Sequence, residues 1–291
     1  MVIDALRSFA QKNNIIAGAC HAAPLEKARL LASPFVPFVS SDIEKRTNPD
    51  KTLSGVESII VIGVGAGDVF SKAFLEKGSI AQLSSLGIDD DYHVKVKNLL
   101  RELADELKQI YGEFRYKILV DGSGLDERAL AHRAGLGFFG RNGLIISSKF
   151  GSRFNIGCML TDIPLEDVVL SDDITTSCPP DCRLCIDACP GGALGSDYLN
   201  AKRCVSYLTQ KDDLTEEEAA LLGQQLYGCD ICQDVCPFNA PRKPAFVDPK
   251  LWLDMDDETF AREYGHTAML WRGTKLLRRN AEIVRRNFDT D

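Results

Sequence analysis

The arrangement of cysteines in the second half of the chain limits its fold and chemistry more than any other feature. One group comprises Cys178, Cys182, Cys185 and Cys189-Pro190, Cys204 stands alone, and a second group comprises Cys229, Cys232 and Cys236-Pro237. Closely spaced cysteines that end in Cys-Pro are typical of proteins that hold two neighbouring iron-sulfur cubanes. The pattern therefore predicts two 4Fe-4S clusters and a protein that transfers electrons.

The Cys-Pro endings also predict which cysteine binds which cluster. In the bacterial ferredoxin pattern, the cysteine before the proline binds the cluster of the other loop, so the two loops brace one another. Each cluster needs four thiolates, and the cysteines of this region are just enough for two clusters if each sulfur is used once. The first predicted set is Cys178, Cys182, Cys185 and Cys236, and the second is Cys189, Cys204, Cys229 and Cys232.

Two other uses of these cysteines are weaker alternatives. Zinc accepts Cys-x-x-Cys pairs but gives no reason for the Cys-Pro endings. A disulfide framework suits small secreted domains, whereas this chain is long and has no secretory leader. The remaining cysteines, Cys20 and Cys158, stand in apolar surroundings, which predicts that both are buried as small hydrophobic residues.

Length and composition indicate a globular protein with a core of its own. The chain has 291 residues, of which 45% are apolar, enough for one large domain or two of ordinary size. We find no run near the roughly 20 apolar residues that span a bilayer, which predicts a cytoplasmic protein with no membrane partner. A net charge of -8 disfavours a broad nonspecific grip on nucleic acid.

The first 170 residues read as alternating strands and helices, which predicts an α/β or α+β fold. Predicted strands are 58–64 and 117–121, predicted helices are 91–111 and 125–135, and a hairpin is predicted from 144–148 and 154–161. Gly63, Gly65 and Gly67 lack the spacing of a dinucleotide fingerprint, which favours a glycine-rich turn without a cofactor.

The later part of the chain has a different character. An acidic linker at 166–173 leads into the cysteine region, where we expect short helices, and Thr215 is a candidate N-cap. The segment Arg272–Arg286 is basic and helix-prone, with Leu276, Leu277, Ile283 and Val284 on an apolar side. Its basic side is either a solvated helix face or a phosphate-binding edge.

Several stretches resemble the epoxyqueuosine reductases. They are Glu44-Lys-Arg46, Asp91-Tyr-His93, Val120-Asp121-Gly122, Gly140-Arg-Asn142, Cys204-Val-Ser206-Tyr and Gly228-Cys229-Asp230-Ile-Cys232. The resemblance runs from about residue 40 to the end. It implies a cobalamin-binding catalytic α/β domain at 1–170, a ferredoxin-like double-cluster domain at 171–245 and a basic helical segment at 246–291.

The resemblance also implies a reaction and its cofactors. The family uses cobalamin and two 4Fe-4S clusters to reduce epoxyqueuosine to queuosine at the tRNA wobble position, with electrons from an external low-potential donor. Asp121 is implied as the acid that protonates the departing oxygen, provided that burial raises its pKa. An Asp before Gly is also a common turn former. Implied contacts to cobalamin or its pocket are Arg46, His93, Asp121, Asn142, Ser206 and Asp230.

Two departures from the family keep other functions open. Cys178 and Cys182 are separated by three residues where the family has two, and the chain stops about where longer members continue into helical repeats that help to hold tRNA. In such a short form, the basic C-terminal segment with Arg141 and Arg153 would hold the RNA. One alternative is a corrinoid and iron-sulfur reductase that acts on a small molecule or on another protein's corrinoid. Another is an electron-transfer protein without catalysis.

Overall fold

The computed structural model describes residues 2–27, 38–66, 80–85, 90–122, 124–165, 176–195 and 199–288. The chain forms two compact units. The first comprises Met1–Gly65 and His93–Cys182, and the second comprises Ala66–Tyr92 and Arg183–Asp291. Within the described ranges, every helix is too short or too polar to cross a membrane.

A four-stranded antiparallel sheet forms the centre of the first unit. In spatial order its strands are β1 (Ile16–His21), β2 (Ser58–Gly65), β7 (Phe154–Thr161) and β4 (Tyr116–Leu119). A separate pair is formed by β5 (Phe138–Phe139) and β6 (Ile145–Ile146). Residues 58–64 of β2 are all buried, which explains why this strand has a continuous apolar run instead of an alternating one.

Among the described residues, the first unit contains the α-helices α1 (Val2–Lys12), α2 (Ile43–Thr47), α3 (Tyr92–Tyr111) and α4 (Glu127–Arg133). The buried positions of α3 include Val96, Leu100 and Leu103, which recur at the helical repeat and form one apolar face. Gly157 on β7 permits this packing, because a Cβ there would lie only 2.3 Å from Val96 Cγ1.

Most sequence predictions for the first unit are confirmed, and two are wrong. The predicted hairpin of 144–148 with 154–161 does not form, because β6 pairs with β5 while β7 is an inner strand between β2 and β4. Gly63 and Gly65 lie within β2 and are not in a turn; Gly67 is outside the described residues. The mixed α and β class is confirmed, and the antiparallel pairing of this sheet corresponds to the α+β alternative.

The second unit combines a small mixed sheet with short helices. Here β3 (Ala81–Leu83) lies parallel to β8 (Gln225–Tyr227) and antiparallel to β9 (Ala245–Val247). The helices are α5 (Leu184–Asp187), α6 (Val205–Leu208), α7 (Glu216–Leu221), α8 (Ile231–Asp234), α9 (Lys250–Leu253), α10 (Asp257–Tyr264) and α11 (Gly273–Phe288). Thr215 caps α7 as predicted, in a capping box with Glu218.

The basic C-terminal helix is largely occupied with contacts inside its own unit. Its predicted apolar side is buried, including Leu277 and Val284. Three of its arginines, and Arg272 just before it, have intramolecular partners: Arg272 with Asp212, Arg278 with the Met255 carbonyl, Arg279 with the Lys211 carbonyl, and Arg286 with Glu216. These contacts favour a structural role for the basic side over a phosphate-binding edge.

The compact units differ from the predicted boundaries at 170 and 245. Residues 246–288 share a hydrophobic core with the cysteine-rich region, because Trp252 and Phe260 pack in one cluster with Leu226. Strand β3 belongs to the same unit since it pairs with β8 and β9. The predicted acidic linker at 166–173 lies outside the described residues.

Candidate functional site

Asp121 follows β4 in a backbone conformation that few side chains adopt. Its φ is +50°, and the φ of Gly122 is +61°. A non-glycine residue in this left-handed region costs on the order of 1 kcal/mol, so the surrounding contacts must hold it there. Its backbone N–H donates to Oε2 of Glu127, the first residue of α4, at 3.1 Å. The end of β4 and the start of α4 therefore fix the backbone position of Asp121.

Asp121 and His93 were predicted separately as site residues, and the structure brings them together. His93 Nε2, in the first turn of α3, lies 3.5 Å from Asp121 Oδ2. An imidazole and a carboxyl at this separation exchange a proton with little movement. The pair is the natural candidate for proton transfer in the first unit.

The exposure of Asp121 differs from the sequence-based interpretation. That interpretation used burial to raise the pKa of its carboxyl, but the side chain is 57% exposed, and that of His93 is 32% exposed. Water therefore reaches the carboxyl in this conformation, and desolvation is not what prepares it here.

Arg46, Arg128 and Asn142 form a second set of polar groups in the first unit. Arg46 lies on α2 and is 9% exposed; burial lowers the pKa of its guanidinium, and the neighbouring Arg128 charge lowers it further. Arg128 donates to the carbonyl of Gly143 at 2.8 Å, directly after Asn142. Arg128 is therefore attached to the turn that carries Asn142.

Asn142 carries a buried donor that the described part of the protein does not use. Its Oδ1 accepts from the backbone N–H of Leu144 at 3.2 Å, whereas Nδ2 is buried without a hydrogen-bond partner among the described residues. The residue is 5% exposed. A buried amide donor without a partner is costly, so this atom fits a ligand that presents an acceptor oxygen.

In the second unit, several predicted cluster ligands act on one another electrostatically. Burial raises the pKa of Cys229 to about 12, and Cys204 and Cys189 also raise it. Burial likewise raises the pKa of Cys232, followed by the effects of Cys229 and Cys204. Cys185, which is predicted to bind the other cluster, also raises the pKa of Cys232, so cysteines of both predicted sets lie near one another.

The cysteines are present as thiols, the form from which the thiolate ligands of a cluster are made. All ten cysteines lie in the described ranges, and none of them forms a disulfide there. Among the described residues, no three or more His, Cys, Asp or Glu side chains converge closely enough for one metal ion. A cubane instead offers a separate iron atom to each thiolate, so its ligands stand further apart.

Close backbone packing brings Cys189 and Cys204 into one neighbourhood. A Cβ at Gly191 would lie 1.9 Å from the carbonyl oxygen of Arg203, so only glycine fits. Arg203 Nε donates to the Gly191 carbonyl at 2.6 Å. The turn after Cys189-Pro190 is thereby attached to the residue before Cys204.

Asp230 and Ser206, both predicted as cofactor contacts, have different surroundings. Ser206, on α6, is half-buried, and its carbonyl accepts from Thr209 and Gln210. The Asp230 side chain is 4% exposed, and its carboxylate accepts from Ser85, Gln233 and Arg242. Asp230 is thus already occupied by protein groups.

Sequence reasoning missed Ser85 and Arg242. Ser85 is 145 positions from Asp230 in the chain, and no local pattern connects the two. Arg242 follows the last cysteine group in an irregular stretch. The available signal was an acidic residue, Asp230, inside a Cys-x-x-Cys loop. Where such a loop buries its carboxylate, the carboxylate requires a cationic partner.

Comparison with known proteins agrees with the division of the sites. A family model described as a 4Fe-4S double cluster binding domain matches residues 178–239, which contain all the predicted ligands. A second model, described as epoxyqueuosine reductase QueG, matches residues 46–122, which contain Arg46, His93 and Asp121.

Relatives cover most of the chain. An epoxyqueuosine reductase of Staphylococcus aureus is 37% identical over 270 residues, covering 87% of this chain and 69% of the relative. A crystal structure of epoxyqueuosine reductase with an epoxyqueuosine-modified tRNA-Tyr stem loop is 30% identical, has a TM-score of 0.87, and covers 99% of this chain and 82% of that one. The enzyme from Bacillus subtilis, solved with its catalytic aspartate loop swung out of the active site, is 30% identical with a TM-score of 0.83 and the same coverage.

Proposed function

This chain belongs to the epoxyqueuosine reductase family, and we propose that it reduces the epoxide of epoxyqueuosine in tRNA to the olefin of queuosine. The observation that carries the proposal is the presence of a double-cluster cysteine set and an acid–imidazole pair on one chain, in regions matched by the two family models. The relative solved with a modified tRNA stem loop supports tRNA as the substrate.

The donor groups fit the two kinds of cofactor that the reaction uses. The proposed cluster ligands are Cys178, Cys182, Cys185 and Cys236 for one 4Fe-4S cluster, and Cys189, Cys204, Cys229 and Cys232 for the other. In the first unit, the unused Nδ2 of Asn142 and the buried guanidinium of Arg46 fit the amide and phosphate oxygens of cobalamin. Bound cobalamin supplies the low-potential electron pair for the substrate.

The reaction needs two electrons and two protons, and the epoxide oxygen leaves as water. The electrons come from an external low-potential donor by way of the clusters. The chain's own task at the substrate is therefore to supply protons and to orient the nucleoside.

Asp121 is the proposed proton donor to the departing oxygen. Its neighbour His93, whose Nε2 lies 3.5 Å from Asp121 Oδ2, is proposed to return a proton to the acid after each turnover. The exposed, left-handed position of Asp121 after β4 places this acid on a short loop. The swung-out catalytic aspartate loop of the Bacillus subtilis enzyme supports such a location for a catalytic carboxyl.

Single-stranded RNA loops are read by splaying the target base into a pocket while phosphate contacts hold the backbone. The proposed partner is accordingly the tRNA anticodon loop. Because Arg278, Arg279 and Arg286 of α11 have partners within their own unit, the phosphate contacts are assigned to groups outside that helix.

Anaerobic reconstitution tests the proposal directly. The protein is loaded with iron, sulfide and cobalamin and given tRNA from cells that cannot complete queuosine, together with a chemical reductant. We expect conversion of the wobble nucleoside to queuosine, measured by mass spectrometry of digested tRNA. Bound clusters and cobalamin without any conversion of tRNA, but with reduction of a small corrinoid substrate, would overturn the tRNA assignment.

A further inference from the structure

A buried ion pair lies inside the loop that carries two of the proposed cluster ligands. Asp230 stands between Cys229 and Cys232, and its carboxylate meets the guanidinium of Arg242. Their side chains are 4% and 9% exposed. Few charged groups are buried this deeply unless they are paired, so each of these two charges depends on the other to stay in the loop.

Arg242 connects both ends of the helical turn that bears Cys232. One guanidinium nitrogen binds Asp230, the residue before α8, and Nε donates to Asp234 Oδ1 at 3.1 Å, at the end of α8. The planar guanidinium therefore spans the turn as a two-point clamp. An ammonium group at this position would not reproduce both contacts.

The rest of the Asp230 carboxylate is occupied by a distant part of the same unit. Ser85 donates to Oδ2 through its backbone N–H at 2.8 Å and through Oγ at 3.1 Å, and Gln233 Nε2 donates to Oδ1 at 3.0 Å. With three donors on Oδ2 and one on Oδ1, Asp230 has little capacity left for an external ligand. Its function is consequently to hold the loop.

The charge of this pair matters to any cluster bound by the loop. A cluster gains one electron on reduction, so a nearby anion makes reduction harder and a nearby cation makes it easier. Burial leaves these charges weakly screened. Asp230 alone would oppose reduction, and Arg242 offsets it.

We infer that Arg242 is a positioning residue that clamps the Cys229–Cys232 loop through Asp230, and that the charge balance of this pair sets the reduction potential of the cluster held by Cys189, Cys204, Cys229 and Cys232. The inference rests on the proposed cluster ligands but not on the proposed tRNA substrate. It concerns how readily this cluster accepts an electron.

Redox titration of the reconstituted protein, followed by electron paramagnetic resonance, tests the inference. In Arg242→Gln we expect the ratio of reduced to oxidised cluster at a fixed potential to fall about tenfold, a shift of 59 mV for a one-electron couple. In Asp230→Asn we expect a shift of similar size in the opposite direction. The double variant, in which the pair is neutral, should return towards the parent value.

Two further variants separate charge from geometry. Arg242→Lys keeps the charge but loses the two-point clamp, so its potential should stay near the parent while the resonance signal broadens. Arg262→Gln removes an exposed arginine of the same unit that pairs with its neighbour Glu263, and it should change neither property.

Each outcome either supports or overturns the inference about Arg242 and Asp230, or the proposed function on which the cluster ligands depend. Unchanged potentials in both single variants with full iron content would overturn the inference while leaving the proposed function intact. If the single variants lose iron, recovery of iron in the double variant supports the charge balance, and equal loss in the double variant overturns it. Failure of the parent protein to bind clusters would instead overturn the proposed function.

Discussion

Around the central sheet of the first unit, two cysteines are core residues and an aspartate faces solvent, whereas the cysteines from residue 178 onwards are proposed cluster ligands and an aspartate among them is buried. Cys20 and Cys158 are fully buried, and Asp121 is 57% exposed. Asp230, by contrast, is 4% exposed and bound by Arg242. Cysteine is thus a core residue in one place and a proposed ligand in another, and aspartate is exposed in one place and buried in another.

The difference shows that environment, more than residue type, decides which groups are free to react. A carboxylate that accepts three or four hydrogen bonds and an ion pair has a stable geometry and little chemistry left. An exposed carboxyl in a left-handed turn next to an imidazole keeps part of its surface accessible to water or a substrate. Both aspartates stand beside a recognisable motif, so only their contacts distinguish them.

The largest expected effect comes from replacing a cysteine that is a proposed cluster ligand. Cys229→Ser should lower the iron content by about half and turnover to background, because a serine hydroxyl is a poor ligand to a cubane. Iron analysis and the queuosine assay measure both. Cys158→Ala is the matched control: we expect full iron content and a loss of about 1 kcal/mol in stability from the small cavity. Iron loss in this control would contradict the division between core and ligand cysteines.

Asp121→Asn should lower turnover by about 100-fold or more, since the departing oxygen loses its proton donor. The iron and cobalamin contents and the thermal unfolding temperature should stay unchanged because the side chain is exposed. Asp105→Asn, which alters an exposed carboxylate on α3, should leave turnover unchanged. Normal turnover in Asp121→Asn would remove the residue from the mechanism and leave it as a turn former.

Local sequence patterns predicted the elements well where one strong signal acted alone. The run 58–64 is a buried strand, 91–111 is a helix with one apolar face, and Thr215 caps a helix through Glu218. Each depends on neighbours within about four residues or on uniform burial. Such signals do not require knowledge of the tertiary fold.

Predictions failed where pairing depended on distant residues. Residues 144–148 and 154–161 have turn residues between them, which favoured a hairpin, but β7 has β2 and β4 available as longer partners. The candidate site shows the same limit. His93 and Asp121 were both chosen from motifs, yet their pairing, the Arg128 link to Asn142 and the Ser85 contact to Asp230 all cross many residues of sequence.

Arg242→Met should lower the free energy of unfolding by about 3 kcal/mol, because it leaves the buried Asp230 carboxylate without its cation. The urea midpoint of the anaerobic protein measures this change. Arg262→Met removes an exposed arginine from the same unit and should cost less than about 1 kcal/mol. Equal midpoints for the two variants would show that the buried pair contributes no more than a surface pair.

The smallest expected effect concerns Glu218, the second half of the capping box on α7. Its carboxylate accepts from Lys211 Nζ at 2.6 Å and from the Thr215 backbone N–H at 2.9 Å. The Lys211 hydrogen bond, followed by the Thr215 N–H, lowers the pKa of Glu218 below its ordinary value.

Because the pKa of Glu218 is lower in the folded state, its carboxylate stabilises the folded protein fully above the ordinary glutamate pKa. This stabilisation is lost as the pH falls through the pKa of the folded state. Glu218→Gln should therefore cost about 1 kcal/mol at neutral pH, with a smaller difference from the parent in acid. Urea midpoints at several pH values measure both, and Glu282→Gln, on an exposed position of α11, is the control. A difference that grows as the pH falls would contradict the capping role, since protonation removes the interaction that the variant lacks.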